Sequence, residues 1–141
     1  MQRKLLFSIL PFTAMNLLFA QKSVAQPNKQ KSIENGKTIY LQRCLACHQA
    51  DGGGVPHLNA PLDGATAVVA DDKAKLIRIV LKGMSERVEI DGEYYGNSMA
   101  SHADLKDQQI ADVLTYIRNN WTNKASAVSV AEVKAIRAKI K

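Results

Sequence analysis

The sequence predicts an all-α fold of three to four helices with one short β-hairpin. Apolar residues recur at helical spacing over residues 105–121, and capping residues bracket further helical segments. Strand-like alternation is confined to residues 88–94, around the turn pair Asp91-Gly92. Since the chain contains no internal repeat and no low-complexity block, we expect these elements to form one small domain.

The N-terminus has the pattern of a secretory signal. Arg3 and Lys4 supply a basic start, residues 5–20 are mostly apolar, and small residues precede a predicted cleavage after residues 1–25. A retained membrane anchor is the alternative. It is disfavoured because the apolar stretch is shorter than the ~20 residues needed to span a bilayer and includes a proline and an asparagine. We therefore expect a mature domain of residues 26–141, without a membrane span, in the periplasm.

The first helix is predicted to run from about Ser32 to the cysteine motif, with Ile33, Tyr40 and Leu41 among its apolar positions. Gly36 lies inside it. A glycine within a helix costs ~1 kcal/mol relative to alanine. Its presence there predicts that another backbone passes close to this position.

The most informative segment is Cys44-Leu-Ala-Cys47-His48, a C-x-x-C-H motif. This spacing lets two thiols bond the vinyl groups of one haem while the adjacent histidine reaches its iron. The chain has two cysteines in all, which leaves no third thiol for a structural disulfide or a four-thiolate metal site. The motif predicts one covalently attached haem c, bound through Cys44 and Cys47, with His48 as an iron ligand.

The sequence disfavours three other uses of the motif. A thioredoxin-like dithiol follows a buried strand, whereas here residues 36–43 are predicted helical and glycines 52–54 form a loop. A zinc site would combine the cysteines with two of His48, His57 and His102, which lack the spacing of ligand histidine pairs. The third alternative is coincidence, in which two buried cysteines happen to stand beside a histidine. It does not explain why the chain also carries an export signal.

The middle of the chain reads as a loop followed by a helix. Residues 52–61 are rich in glycine and proline, and such a loop could wrap one edge of the haem. Asp71 and Asp72 suit the start of the next helix, and Gly83 suits its C-terminal end. The apolar face of this helix carries Leu76, Ile79 and Val80.

The C-terminal part supplies the strongest helix signal. The stripe over residues 105–121 consists of Ile110, Val113, Leu114, Ile117 and Trp121. Beyond it, Ser129 and Glu132 form a capping-box pattern that opens a final basic helix extending to Lys141.

The order of these elements resembles a class I cytochrome c over nearly the whole mature chain, from Ser32 to about Lys139. That family has an N-terminal helix, the C-x-x-C-H motif, a haem-wrapping loop, a middle helix, a methionine loop and a C-terminal helix. Its first and last helices cross through a glycine, an aliphatic residue and aromatic residues, a pattern matched by Gly36, Tyr40, Val113 and Tyr116. The resemblance implies that fold around one covalently bound haem, with the hairpin before the axial methionine loop.

The resemblance also implies the sixth iron ligand. The segment Tyr-Tyr-Gly-Asn-Ser-Met that ends at Met99 matches the family's methionine region, although Ala100 stands where a proline usually follows. Met84 is the rival, but it lies directly after the middle helix and before the hairpin, where the family's methionine is not expected. A lone methionine also more often fills a core than binds a metal. His57 and His102 are expected to be surface histidines.

The family usually places a proline just before a Leu-x-Gly, and the proline carbonyl accepts a hydrogen bond from the proximal histidine. Residues 62–64 match the Leu-x-Gly, but Ala60 occupies the proline position. Because the acceptor is a backbone oxygen, Ala60 could still receive the Nδ1 proton of His48. Such a bond would strengthen the imidazole as a donor.

These features predict a periplasmic mono-haem cytochrome that carries single electrons and is not an enzyme, with iron ligated by His48 and Met99. A haem peroxidase or gas-binding sensor with a displaceable sixth ligand is the alternative. Such a site needs a vacant iron with a distal acid or base nearby. The sequence places no histidine or arginine for that part, although it does not exclude Arg78 or His102.

The expected partners are a redox donor and acceptor, such as a dehydrogenase, a reductase or a terminal oxidase. The glycine-rich loop, the hairpin and the extension over about 122–141 resemble cytochromes that accompany quinone-dependent dehydrogenases, or modules attached to nitrite reductases. This favours a partner-associated cytochrome over a free shuttle. Removing residues 1–25 deletes Arg3, Lys4 and Lys22 and no acidic residue, so the formal net charge falls from +6 to +3. That small excess argues against nucleic acid as a partner.

Overall fold

A computed structural model describes residues 29–140. The helices are α1 Lys29–Arg43, α2 Leu45–His48, α3 Thr66–Val69, α4 Ala74–Lys82, α5 Asp107–Ile117 and α6 Val130–Arg137. Strands β1 Val88–Ile90 and β2 Glu93–Tyr95 pair antiparallel. The predicted helical fold with one small hairpin is confirmed, while the predicted signal segment and Lys141 lie outside the described residues.

Within residues 29–140, none of the helices combines the length and the apolar character needed to cross a bilayer.

Helices α1 and α5 cross in close contact at Gly36. A Cβ atom at this position would lie 2.1 Å from the backbone oxygen of Asp112 and 2.7 Å from Cβ of Tyr116. At the same crossing, Ser32 Oγ donates a hydrogen bond of 2.5 Å to the Asp112 carboxylate, which is buried. The close approach predicted from the glycine is therefore confirmed, and α1 begins slightly earlier than predicted, at Lys29.

Helix α5 ends at Ile117, before the end of the predicted apolar stripe. Trp121 has φ of 52°, in the left-handed region, so it cannot continue an α-helix. Its ring instead packs edge-on against Tyr40 and Tyr116, with centroid distances of 5.4 and 5.9 Å. Trp121 therefore does not belong to α5, and it forms an aromatic cluster with Tyr40 and Tyr116.

Helix α4 has the predicted start and end. The Asp72 carboxylate accepts a hydrogen bond of 2.9 Å from the Ala74 N–H, and Gly83 follows the last turn with φ of 74°. Leu76 and Val80 are buried, and Ile79 is half-buried. The predicted apolar face therefore turns inward.

The hairpin has the predicted turn, because Asp91 and Gly92 have φ of 52° and 89°. The Asp91 carboxylate also accepts hydrogen bonds from the backbone and hydroxyl of Thr66, the first residue of α3. Sequence patterns did not predict α3, which is a single turn too short to carry a periodic signal.

The C-terminal segment packs onto the domain. The predicted capping box is present: Ser129 N–H donates to the Glu132 carboxylate at 2.7 Å, and Ser129 Oγ accepts from the Glu132 N–H at 3.2 Å. Helix α6 ends at Arg137 and buries Val133 and Ile136. It contacts both α4 and α5.

A buried arginine at the end of α5 connects this segment to the rest of the protein. The Arg118 guanidinium has no solvent exposure and donates to the carbonyls of Val68, Ala70 and Ser126 at 2.5, 2.8 and 2.9 Å. These bonds join α3 to the segment before α6. Residues 122–140 therefore share the core of the domain.

Candidate haem site

The cysteine motif forms the end of α1 and all of α2. The Cys44 N–H bonds the Tyr40 carbonyl at 2.9 Å, and the His48 N–H bonds the Cys44 carbonyl at 2.9 Å, so the helical path continues through the motif. Cys44, Cys47 and His48 all line one open cavity. The structure thus brings together the three motif residues predicted to bind haem.

The walls of this cavity are largely apolar and come from several elements. Two helices provide most of the aliphatic surface, through Leu76, Ile79 and Val80 of α4 and Val113, Leu114 and Ile117 of α5. Val88 and Ile90 add the hairpin to the lining. An open cavity with mainly apolar walls and few polar groups suits an apolar ligand.

His48 is held in one tautomer. Its Nδ1 lies 2.9 Å from the Ala60 carbonyl oxygen, which can only accept a hydrogen bond, so Nδ1 carries the proton. Nε2 is then left with the lone pair that a metal requires. Burial lowers the pKa of His48, although the bond to Ala60 acts in the opposite direction, and the net effect favours the neutral imidazole. The hydrogen bond expected for Ala60 is present.

The two cysteines differ in exposure, since Cys44 is half-buried and Cys47 is exposed. Burial raises the pKa of the Cys44 thiol to about 11. A dithiol redox site works through a thiolate with a lowered pKa. The electrostatics at Cys44 therefore disfavour that alternative.

Both candidate methionines line the cavity, because their backbones pair. Met84 N–H bonds the Met99 carbonyl at 2.9 Å, and Met99 N–H bonds the Met84 carbonyl at 2.7 Å. Gly83 permits this approach, since a Cβ atom there would lie 2.3 Å from the Met99 oxygen. Met99 packs partly buried against the hydrophobic core, whereas Met84 is not among the described side chains that do so. Of the two methionines, Met99 is therefore the one whose side chain is held in place by packing, which favours it over Met84 as the candidate ligand.

The remaining histidines separate into two environments. His57 is exposed, with Nδ1 3.6 Å from the Glu93 carboxylate, so its predicted surface position is confirmed. The surface position predicted for His102 is wrong, because this residue is half-buried and lines the cavity. Its N–H bonds the Val80 carbonyl at 2.9 Å, which holds the segment after Met99 against α4.

Other polar groups at the cavity were missed from the sequence. Arg43, Asn59, Tyr95 and Asn97 line it, while Arg78 is exposed and absent from the described lining. Arg43 directly precedes the motif, and Tyr95 and Asn97 closely precede Met99. Proximity in sequence to the predicted haem and iron ligands was the signal that could have identified them.

The donor set fits a haem. One cavity holds two thiols at C-x-x-C spacing, an imidazole with an available Nε2 and a thioether, within walls that are otherwise mainly aliphatic. Among residues 29–140, no cluster of three or more His, Cys, Asp or Glu side chains offers a separate metal site. The helical fold and this site define a c-type haem protein.

Comparison with known proteins gives the family. Residues 33–121 match the family model for cytochrome c, and the chain belongs to that family. It is 36% identical over 113 residues to cytochrome c-552 of Thermus thermophilus, an alignment covering 74% of this chain and 86% of the relative. The predicted class I cytochrome c fold is thereby confirmed, as is covalently attached haem c as the cofactor.

The chain is also similar to cytochrome subunits of dehydrogenases. It is 33% identical over 111 residues to the cytochrome c subunit of a quinone alcohol dehydrogenase from Komagataeibacter europaeus, covering 72% of this chain and 22% of that subunit. It is 34% identical over 115 residues to the cytochrome c subunit of gluconate 2-dehydrogenase from Pantoea cypripedii, covering 77% and 25%. The predicted resemblance to cytochromes that accompany quinone-dependent dehydrogenases is confirmed.

Proposed function

We propose that this protein is an exported mono-haem cytochrome c that carries single electrons between redox partners. In this proposal Cys44 and Cys47 would attach the haem, and His48 and Met99 would ligate its iron. The observation that carries the proposal is the 2.9 Å contact between His48 Nδ1 and the Ala60 carbonyl, in a cavity that also contains both cysteines and Met99.

When bound, haem iron supplies a centre that alternates between the ferric and ferrous states. The bond from His48 to Ala60 orients the imidazole and makes Nε2 a stronger donor. The thioether of Met99 favours the ferrous state relative to a second nitrogen ligand. The aliphatic side chains of α4 and α5 keep water from the cavity, which disfavours the more highly charged ferric state. In this proposal these residues keep their positions when the iron changes its oxidation state. Little structural reorganisation would then accompany each electron transfer.

A variant pair tests the ligand assignment. We expect Met99→Ala to abolish the sulfur-to-iron charge-transfer band of the ferric protein and to lower its reduction potential, because the soft sixth ligand is lost. Met84→Ala is the matched control, since it removes a methionine from the same backbone bridge and should keep the band. Loss of the band in Met84→Ala alone would assign the ligand to Met84 instead.

Covalent attachment is tested separately. Acid-acetone extraction of the denatured protein should leave the pigment on the chain, because thioether bonds survive that treatment. Extraction of all pigment into the solvent would contradict the roles of Cys44 and Cys47.

One observation favours a second candidate function. His102 lines the cavity, three residues after Met99, so an acid–base group is near the site where a displaceable ligand would open the iron. This supports a haem peroxidase or gas-binding sensor. Rapid and complete binding of carbon monoxide to the reduced protein at neutral pH would favour this class. Slow or absent binding would favour the carrier.

The proposed cellular setting is the periplasm, after cleavage of residues 1–25 to leave the domain of residues 26–141. The named dehydrogenase subunits among the relatives support a role beside a redox enzyme that donates or accepts electrons. Co-purification of the native protein with a quinone-dependent dehydrogenase activity would support association. Size-exclusion chromatography of a periplasmic extract gives the opposite test. If all of the cytochrome elutes at monomer size, a free shuttle is favoured.

A further inference from the structure

The residue that follows His48 has an unusual backbone conformation. Gln49 has φ of 63° and ψ of 168°, a region that is essentially restricted to glycine. It is the C-cap residue of α2, directly after His48, and its N–H is bonded to the Leu45 carbonyl at 2.9 Å. A strained conformation of this kind persists only where the surrounding structure holds it in place.

Three elements hold this segment through successive carbonyl groups. The Gln49 oxygen accepts a hydrogen bond of 2.6 Å from the Tyr40 hydroxyl, on α1. The Ala50 oxygen accepts 2.9 Å from Nε1 of Trp121, in the turn after α5. The His48 oxygen accepts 3.2 Å from the Gly54 N–H, in the loop that follows. The peptide groups after His48 are therefore fixed from outside α2.

The Tyr40 hydroxyl is itself fixed by packing. Tyr40 is 1% exposed, and its ring lies 5.4 Å from the rings of both Tyr116 and Trp121. Gly52 provides space for this arrangement, because a Cβ atom there would lie 2.8 Å from the Trp121 ring. Burial raises the pKa of Tyr40, so the hydroxyl stays protonated and available as a donor across the neutral range.

We propose that Tyr40 is a positioning residue for His48. Its hydroxyl holds Gln49 in a conformation that glutamine otherwise avoids. This fixes the peptide leaving His48, and together with the Ala60 hydrogen bond it fixes the plane of the imidazole ring. The proposal rests on the proposed role of His48 as an iron ligand, and it adds a residue that acts on the ligand through the backbone.

The test compares two tyrosines of the same cluster. Tyr40→Phe removes the bond to Gln49 and keeps the ring, whereas Tyr116→Phe removes a hydroxyl that accepts a hydrogen bond of 2.7 Å from Asn120 and does not touch the segment after His48. We expect Tyr40→Phe to shift the ferric electron paramagnetic resonance g values and the reduction potential of the purified holoprotein. Tyr116→Phe should leave both within error of wild type.

Gln49→Gly provides the rescue, because glycine adopts the observed conformation without strain. In this background the Tyr40→Phe shifts should become much smaller. Equal shifts for Tyr40→Phe and Tyr116→Phe, or full Tyr40→Phe shifts in the glycine background, would overturn the proposal. If Tyr40→Phe does not fold, the double variant decides: folding with native-like g values supports the proposal, and failure to fold overturns it.

Failure of the underlying function would look different. Wild-type protein without a low-spin signal from a histidine-ligated haem would contradict the role of His48 itself, before any variant is compared.

Discussion

The two sides of the cavity are built in contrasting ways. On the first, His48 ends a helix and donates a hydrogen bond from its ring to the Ala60 carbonyl, while Tyr40 and Trp121 donate hydrogen bonds to the peptides after it. On the second, Met99 lies in an extended segment outside any helix or hairpin strand, and backbone hydrogen bonds join this segment to Met84, to residues 57–58 and to Val80 of α4. The difference indicates that aromatic side chains fix the peptides after His48, whereas the segment around Met99 is held mainly by backbone hydrogen bonds between irregular segments. Ligand loss should therefore begin on the Met99 side.

The largest expected effect comes from disturbing the helix crossing that supports the His48 side. Gly36→Ala places a methyl group 2.1 Å from the Asp112 carbonyl oxygen, so α1 and α5 must separate. We expect a loss of about 3 kcal/mol in the free energy of unfolding, the upper end of what overpacking costs. Urea unfolding followed by circular dichroism measures it.

Gly53→Ala is the control for this variant. The three atoms nearest to a Cβ atom at Gly53 all belong to the flexible Asp51 carboxylate, the first at 3.3 Å, and φ there is not in the left-handed region. Its stability should stay within about 0.5 kcal/mol of wild type, as for most surface substitutions. A similar loss in both variants would show that the helix crossing is not specially constrained.

A second glycine tests the Met99 side. Gly83→Ala adds a side chain at φ of 74° and 2.3 Å from the Met99 carbonyl oxygen. We expect a cost of about 2 kcal/mol from the left-handed backbone and the contact. The folded protein should also lose much of its sulfur-to-iron band, whereas the folded fraction of Gly36→Ala should keep it. Retention of the full band in Gly83→Ala would contradict the contrast between the two sides.

A proline after Met99 should make the methionine segment stiffer, and so reduce the difference between the two sides of the cavity. Ala100→Pro is compatible with the structure, because the Ala100 N–H donates no hydrogen bond within residues 29–140 and Met99 before it is extended. We expect a gain of about 0.4–1 kcal/mol, through reduced freedom of the unfolded chain. Added imidazole should replace Met99 more slowly in the ferric protein. An unchanged rate would show that loop stiffness does not limit ligand exchange.

The smallest expected effect concerns an ion pair that joins the two sides. Arg43 lies beside the cysteine motif and pairs with Asp104, in the segment after Met99, with side chains 43% and 56% exposed. Exposed pairs contribute about 0.2–1 kcal/mol and weaken with salt. A double-mutant cycle with Arg43→Gln and Asp104→Asn, at low and high salt, should give a coupling within that range. A larger coupling that is insensitive to salt would show that the pair fixes the Met99 segment.

Local signals were sufficient for most of the helical framework. Asp72 and Gly83 bracket α4, Ser129 and Glu132 cap α6, and Asp91-Gly92 forms the hairpin turn, because each pattern satisfies backbone groups within a few residues. Gly36 also predicted a distant contact, since a helical glycine is unfavourable without one. The hydrogen bond to Ala60 could be anticipated because a backbone carbonyl does not depend on the side chain.

What the sequence did not predict depends on tertiary contacts. His102 is drawn into the cavity by a bond to α4, and Trp121 leaves the helical pattern to pack on two tyrosines. The conformation of Gln49 was also unpredictable, because glutamine gives no local signal for positive φ. All three positions lie near the proposed ligands, where local preference and final structure differ most.

Trp121 is the single tryptophan of the chain, and its indole is bonded to a carbonyl two residues after His48. Haem absorbs at the wavelengths where indole emits, so a haem bound in the adjacent cavity quenches this fluorophore. Opening of the turn after α5 or departure of the segment behind His48 separates the two groups and restores emission. The protein thus contains an intrinsic optical probe, and a rise in fluorescence reports when this part of the haem pocket comes apart.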